Sequence, residues 1–348
     1  MNLPKNPTLL TPSNPLEKLL RGLEATEELH YFSFISKELG FKVSTDWPRT
    51  TAQISEDIQK PSSIRPNVTM ANLEKLIDEV IIASDHSYRI YSADVSSITA
   101  INNIPNNVKN TDFNTTLASL YPGKLDSSAS ITDGASLVAI KMLDAGTAFI
   151  FSYVYTTASF DKKSQTLSRE KKQYFNNVFI PKGKNRIEVR VSNKINKNDR
   201  DDCFRQVWTE FLNLTGSHSV SLSTVQQLDF FKSIESYYAD KTAGRVASAT
   251  MTTSEVSSDA ILSNKRNRNY CARTQSVTDD SGKNHIYKCR AVKIRWQHEN
   301  EKRCELELSV EPHKHHWDAE FCKTVEIKFP KSLLRLNRLI DDLIARAK

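Results

Sequence analysis

The sequence predicts an α+β fold with a helical N-terminal region, a central mixed β/α region, and a C-terminal antiparallel hairpin sheet covered by a terminal helix. Three observations carry this expectation. Leucine and isoleucine recur at helical spacing near both ends of the chain. Short runs of β-branched and aromatic residues fill the middle. A long period-two alternation between 287 and 310 marks a hairpin. At 348 residues the chain exceeds one average domain. It divides by expectation into residues 1–218, a mixed α/β domain with a helical start, and residues 219–348, a basic α+β domain.

Ser13-Asn14-Pro15 supplies a capping residue and a first-turn proline, and Leu16, Leu19, Leu20 and Leu23 follow at helical spacing, so 15–40 reads as helix ending at Gly40. The proline- and serine-containing stretch 48–66 reads as a connector, and Leu73, Leu76, Ile77, Val80 and Ile81 predict a helix over 70–83. Short β-like runs then begin at Ser87, with further strands in SLVAIKM and in TAFIFSYVY (147–155). The Asn/Ser/Thr-rich stretch 101–134 reads as loop. In 186–191, Ile187, Val189 and Val191 share one face of a strand, and Arg186, Glu188 and Arg190 share the other.

Phe204, Val207, Trp208, Phe211 and Leu212 form the apolar face of a helix over 200–214, capped by Asn198 or Asp199, and a second helix is expected over 223–239. Residues 240–263 read as a linker or a serine-rich strand and loop. In the hairpin, Val292, Ile294 and Trp296 alternate with Lys293 and Arg295, and Leu306, Leu308 and Val310 alternate with Glu305, Glu307 and Ser309. A strand over 324–329 leads through Pro330 into a final helix. Its Leu333, Leu336, Ile340 and Leu343 make a seam that packs on the hairpin or on a protein partner.

With 39% hydrophobic residues, 15 Phe and 11 Tyr, the chain has the material for real cores, which argues against wholesale disorder. No run approaches the roughly 18 apolar residues needed to cross a bilayer. The N-terminus lacks the basic-then-apolar order of a secretory leader, so no membrane partner and a cytoplasmic location are expected. Five scattered cysteines read as reduced thiols rather than a disulfide framework.

The net charge of +7 is unevenly distributed: residues 161–200 hold twelve Lys/Arg against four Asp/Glu, and residues 261–348 hold nineteen against twelve. The rest of the chain is acidic. Such segregation suggests a polyanionic partner more strongly than the net value does. In NKRNRNYCAR, Lys265, Arg266, Arg268 and Arg273 surround Tyr270, and Lys182, Lys184 and Arg186, following Lys171 and Lys172, form a second basic tract. Guanidinium and ammonium groups neutralise phosphates, and an exposed tyrosine stacks on an unpaired base.

Two further constellations are weaker. His313, His315, His316 and Asp318, flanked by Cys304 and Cys322, are metal-ligand types, but their spacing matches no established zinc pattern. Glu326 and Lys328, with Glu311 or Asp318, match the carboxylate-and-lysine requirement of metal-dependent nucleases, whose alternate strand residues face one metal site. Phosphate loops, dinucleotide fingerprints, nucleophile elbows and HExxH are all absent, and nine glycines leave little material for nucleotide-cradling loops.

The chain is accordingly read as a non-enzymatic nucleic-acid-binding or adaptor subunit. Its binding is backbone-led and weakly sequence-specific, DNA is the expected partner, no cofactor is required, and the role suits a microbial system acting on foreign DNA. The alternatives are a divergent nuclease or a purely protein-binding subunit.

Overall fold

The computed structural model describes residues 14–125, 131–161, 166–253, 259–264, 267–277, 286–298 and 301–348, with backbone alone at 159–161, 166–168 and 301–304. The chain runs α1 (Pro15–Ala25), α2 (Leu29–Ile35), α3 (Trp47–Gln59), α4 (Met70–Ala83), β1 (His86–Ser92), α5 (Val95–Asn103) and α6 (Thr115–Leu120). Next come β2 (Gly134–Leu143), β3 (Gly146–Asp161), β4 (Thr166–Pro181), β5 (Arg186–Ser192), α7 (Arg200–Ser217), β6 (Gln226–Gln227) and α8 (Phe231–Ala239). The last elements are β7 (Arg245–Thr252), β8 (Ala260–Ser263), β9 (Lys288–His298), β10 (Glu301–Val310), β11 (Val325–Lys328) and α9 (Leu333–Arg346). The fold class is α+β, and the strand pairs with defined register are all antiparallel.

Contacts group the chain into two units, each discontinuous in sequence. The first comprises 1–84, 95–184 and 189–223; the second comprises 85–94, 185–188 and 224–348. The sequence reading placed a single cut after residue 218. The structure instead lends two short stretches around β1 and the start of β5 to the second unit.

In the first unit the strand order is β2-β3-β4, followed by the last residues of β5. The β3–β4 hairpin is paired from Gly146↔Pro181 to Asp161↔Thr166. Phe149, Phe151 and Tyr153 point to one face of β3, Ala148, Ile150 and Val154 to the other, and all are buried. Both faces are covered, which is why TAFIFSYVY is nearly continuous in apolar character. On one side α7 supplies Phe211, whose ring meets Phe149 edge-on at 5.4 Å. On the other, Asn177 of β4 donates to the Ile81 carbonyl of α4 at 3.3 Å. Arg190, fully buried, donates to the Ile82 carbonyl at 2.9 Å and lies 4.0 Å from the Phe179 ring centroid. Gly146 closes the tight β2–β3 connection at φ +150, where a β-carbon would lie 2.2 Å from the Ile180 carbonyl oxygen.

Several expected elements differ. The helix read over 15–40 stops at Ala25: Glu27 takes φ 58, and α2 begins two residues later. The connector read over 48–66 contains α3. Asp46 accepts from the Arg49 amide at 2.9 Å as N-cap, and Pro48 stands in the first turn, where its missing N–H costs nothing. Stretch 101–134, read as loop, contains α6, and α5 starts three residues after β1. Strand β4, whose first half is polar and charged, was not foreseen. The helix read over 223–239 begins only at Phe231, because Gln226 and Gln227 pair with Ser92 and Tyr91 as β6.

In the second unit, residues 186–188 of β5 lead the order β1-β11-β10-β9-β7-β8. Ile327, Leu308, Ile294 and Val246 lie in register across four strands and are fully buried on one face. Helix α8 packs against β9 and β10 there, with Tyr237 meeting Trp296 at 6.2 Å, and α9 packs on α8. Leu336, Leu339, Ile340 and Leu343, which include seam residues of the terminal helix, are buried within this unit.

The opposite face of this sheet is charged. Arg245 donates to Glu305 at 3.0 and 2.6 Å, Arg295 to Glu307 at 2.6 Å, and Lys328 lies 3.5 Å from Glu307. Arg295–Glu307 and Lys328–Glu307 are directly opposed pairs on neighbouring strands, each contributing about 0.2–1 kcal/mol to the register of β9, β10 and β11, while Arg245 of β7 reaches across β9 to Glu305.

Candidate functional site

The basic segment of the second unit is positioned by one residue. Arg273 donates to the carbonyls of Tyr237 (2.6 Å), Tyr238 (2.8 Å) and Gly244 (2.6 Å). The first two are among the last carbonyls of α8, which have no intrahelical donor, and a cation at a helix C-terminus also complements the helix dipole. Ala272 is fully buried beside it, and Arg245 donates to the Tyr270 carbonyl at 3.5 Å. Thus Arg273, read from the sequence as a phosphate contact, is a staple that fastens residues 270–274 to α8 and to the turn before β7.

This fastening delivers Arg268 to a recess of about 600 Å³ lined by Arg245, Arg268, Arg295 and Arg335, with Glu305, Asn269, Trp296 and Gln297 among the other walls. The recess forms where β9 outruns β7. Arg245, the first residue of β7, pairs with Arg295, and Trp296 and Gln297 lie beyond that last pair. Gly244 makes the turn at φ +74. A β-carbon there would lie 2.7 Å from Trp296 Nε1, so only glycine lets the chain pass under the indole.

The four guanidiniums differ in their partners. Arg245 and Arg295 are already paired with Glu305 and Glu307. Burial pushes the Glu305 carboxyl up, but hydrogen bonds from Arg245 and the charges of Arg245, Arg295 and Arg268 outweigh it, leaving the group below its ordinary range and ionised. Arg335, on the first turns of α9, donates to His298 Nδ1 at 2.5 Å, and His298 Nε2 lies 3.0 Å from the Phe329 carbonyl oxygen. A carbonyl only accepts, so Nε2 carries the proton and Nδ1 accepts from Arg335. Arg268 is exposed and makes no ion pair or hydrogen bond with a described residue. Glu305 in the lining and Glu307 behind Arg295 offset two of the four guanidiniums, so the recess keeps a net positive charge carried by Arg268 and Arg335.

A second recess of about 500 Å³, lined by Lys232, Lys288 and Arg290 together with Glu235 and Glu320, is nearly balanced in charge, and Arg290 is paired with Glu320 at 3.1 Å. It offers an anion much less.

The other sequence candidates fall as follows. Lys265 and Arg266 lie outside the described residues. Tyr270 is half-buried. Lys182 is exposed and Lys184 half-buried in the β4–β5 turn of the first unit, while Arg186 groups with the second. Arg186 is 4% exposed, donates to the fully buried Glu188 at 2.7 Å and pairs with Asp341. Its donors are committed to carboxylates, so it reaches no phosphate without breaking a buried ion pair.

At a short 3-10 turn His313 stacks on His315 at 5.4 Å and both meet His316 edge-on at 6.1 and 4.0 Å, with Phe321 edge-on to His316. Among the described residues no three His, Cys, Asp or Glu side chains converge as metal ligands. Asp318 is exposed, the Cys304 side chain lies outside the described residues, and Cys322 is buried with its thiol pushed up to about 12. Glu326 and Lys328 do share a face of β11, but Lys328 turns to Glu307, and Glu311 pairs with Lys293 at 3.4 Å.

Sequence reasoning missed Arg245, Arg295, Arg335 and Trp296. The one available signal was Arg295-Trp296-Gln297 at the end of the hairpin strand, where alternation places a guanidinium and an indole on opposite faces. No helix among the described residues is long and apolar enough to cross a membrane. Comparisons of the chain with protein-family models, with curated proteins and with solved structures return no match.

Proposed function

We propose that this chain is a non-enzymatic nucleic-acid-binding subunit whose second unit holds the phosphate backbone at the arginine-lined recess, in keeping with a role in a microbial system acting on foreign DNA. The observation that carries the reading is the lining itself, four arginines of which Glu305 and Glu307 offset two, with Arg268 exposed. Guanidiniums match phosphate oxygens in a two-pronged geometry that lysine lacks, and each phosphate neutralised releases condensed counterions. Base identity plays little part in such contacts, so weak sequence preference follows.

The test is fluorescence anisotropy with labelled oligonucleotides across a salt series. Binding is expected to weaken linearly in log–log form, with a slope of roughly −0.7 to −0.9 per phosphate contacted. The Arg268→Glu chain, correctly folded by circular dichroism, is expected to lose at least about tenfold in affinity and to show a shallower slope. Affinity indifferent to salt, or unchanged by Arg268→Glu, refutes the proposal.

A further inference from the structure

The recess is not lined by arginine alone, and its other walls bear on which nucleic acid it takes. Trp296 is half-buried and lines the same space as the four guanidiniums. Its indole is braced: Tyr237 meets it edge-on at 6.2 Å with an interplanar angle of 72°, and the turn at Gly244 runs so close that a β-carbon there would lie 2.7 Å from Nε1. A ring held this way loses little freedom when another ring is laid against it. Asn269 and Gln297 line the recess as well, and their amides both donate and accept.

Resting on the nucleic-acid reading above, we infer that the recess takes an unpaired nucleotide, its phosphate held by Arg268 with Arg335 and its base stacked on Trp296. In a duplex the faces of the bases are covered by their neighbours, and a stacking ring cannot reach them without unstacking the strand. A single strand presents both phosphate and base, and an indole accepts any base because every base has a π face. A volume of about 600 Å³ lies within the ordinary range of ligand recesses, enough for an extruded nucleotide and far too small for a duplex.

The experiment uses the full chain and three labelled probes of equal length: a single-stranded oligothymidine, the same strand with its bases replaced by abasic sites, and a duplex. All three are titrated at two salt concentrations. The oligothymidine is expected to bind about tenfold more tightly than the abasic strand, the value of one good stacking contact. Trp296→Leu is expected to erase that difference, and Trp296→Phe to restore part of it. Equal binding of oligothymidine and abasic strand by the unaltered chain overturns the inference, and so does a duplex that binds as tightly as oligothymidine. Either result leaves phosphate binding at the recess standing, whereas failure of all three probes to bind removes both.

Discussion

Arg186 separates charge that acts on a partner from charge that acts on the fold. Replacing it with methionine, close in length and free of charge, leaves Glu188 as a fully buried carboxylate without its 2.7 Å donor and releases Asp341 toward solvent. Removing one member of a buried ion pair costs about 3–5 kcal/mol, because the remaining charge stays desolvated. For a cooperative unit of 150–250 residues each kcal/mol corresponds to about 2–4 °C, so Arg186→Met is expected to lower the melting temperature by roughly 6–20 °C. The Arg186→Met/Glu188→Met chain, which removes both members, is expected to recover part of that loss, since burying two apolar groups is less unfavourable than burying a carboxylate that has lost its Arg186 donor. Calorimetry of the three chains measures both effects, and a salt series of oligonucleotide binding well below the melting point adds the functional arm. Its slope is expected to be unchanged. A Arg186→Met chain that melts within about 2 °C of the parent and loses one phosphate's share of the salt slope would refute this reasoning and return Arg186 to the binding surface.

Three other outcomes are expected. Arg273→Ala removes three hydrogen bonds from a charged donor, each contributing about 1.5–3 kcal/mol before water replaces part of them, so a net loss of about 2–4 kcal/mol is expected in urea denaturation. Gly244→Ala combines a left-handed backbone at φ +74, costing about 1–2 kcal/mol, with a β-carbon 2.8 Å from the Arg295 carbonyl oxygen. It should weaken oligonucleotide binding and change the tryptophan fluorescence together. In the first unit, burial and then the charge of Glu38 raise the Glu79 carboxyl to about 7. A carboxyl raised on folding contributes stability that is present below its unfolded value of about 4.5 and is lost as pH climbs through 7. Glu79→Gln is therefore expected to stabilise the protein by about 1–3 kcal/mol at pH 8 and to be nearly neutral at pH 4, as read by thermal melts at the two pH values.

What could be read from the residues, and what could not, follows from how far apart the deciding partners lie. The β9–β10 hairpin and α9 were legible because each buries one face only, so period two and period 3.6 survive in the sequence. Helix α3 was hidden by prolines at 48 and 61: the first starts the helix from an Asp46 cap, and the second follows its end, although proline density by itself reads as connector. Strand β4 was hidden because its polar first half pairs along a hairpin arm while only its second half, from Phe175 to Ile180, enters the core. The site divides in the same way. A count of basic residues gives Arg186, Arg268 and Arg273 equal weight, since charge is local information. Their roles depend on acceptors that are distant in sequence: Asp341 lies 155 residues from Arg186, and the α8 carbonyls lie about 36 residues before Arg273. Once those two guanidiniums are committed to the fold, Arg268 remains from that trio. The recess gains its charge from Arg245, Arg295 and Arg335, none of which stands in either basic tract named from the sequence. Segregated charge therefore pointed to the unit that holds the recess but not to the residues that line it, because Arg245 and Arg295 are brought together by strand register at the corner of β7 and β9.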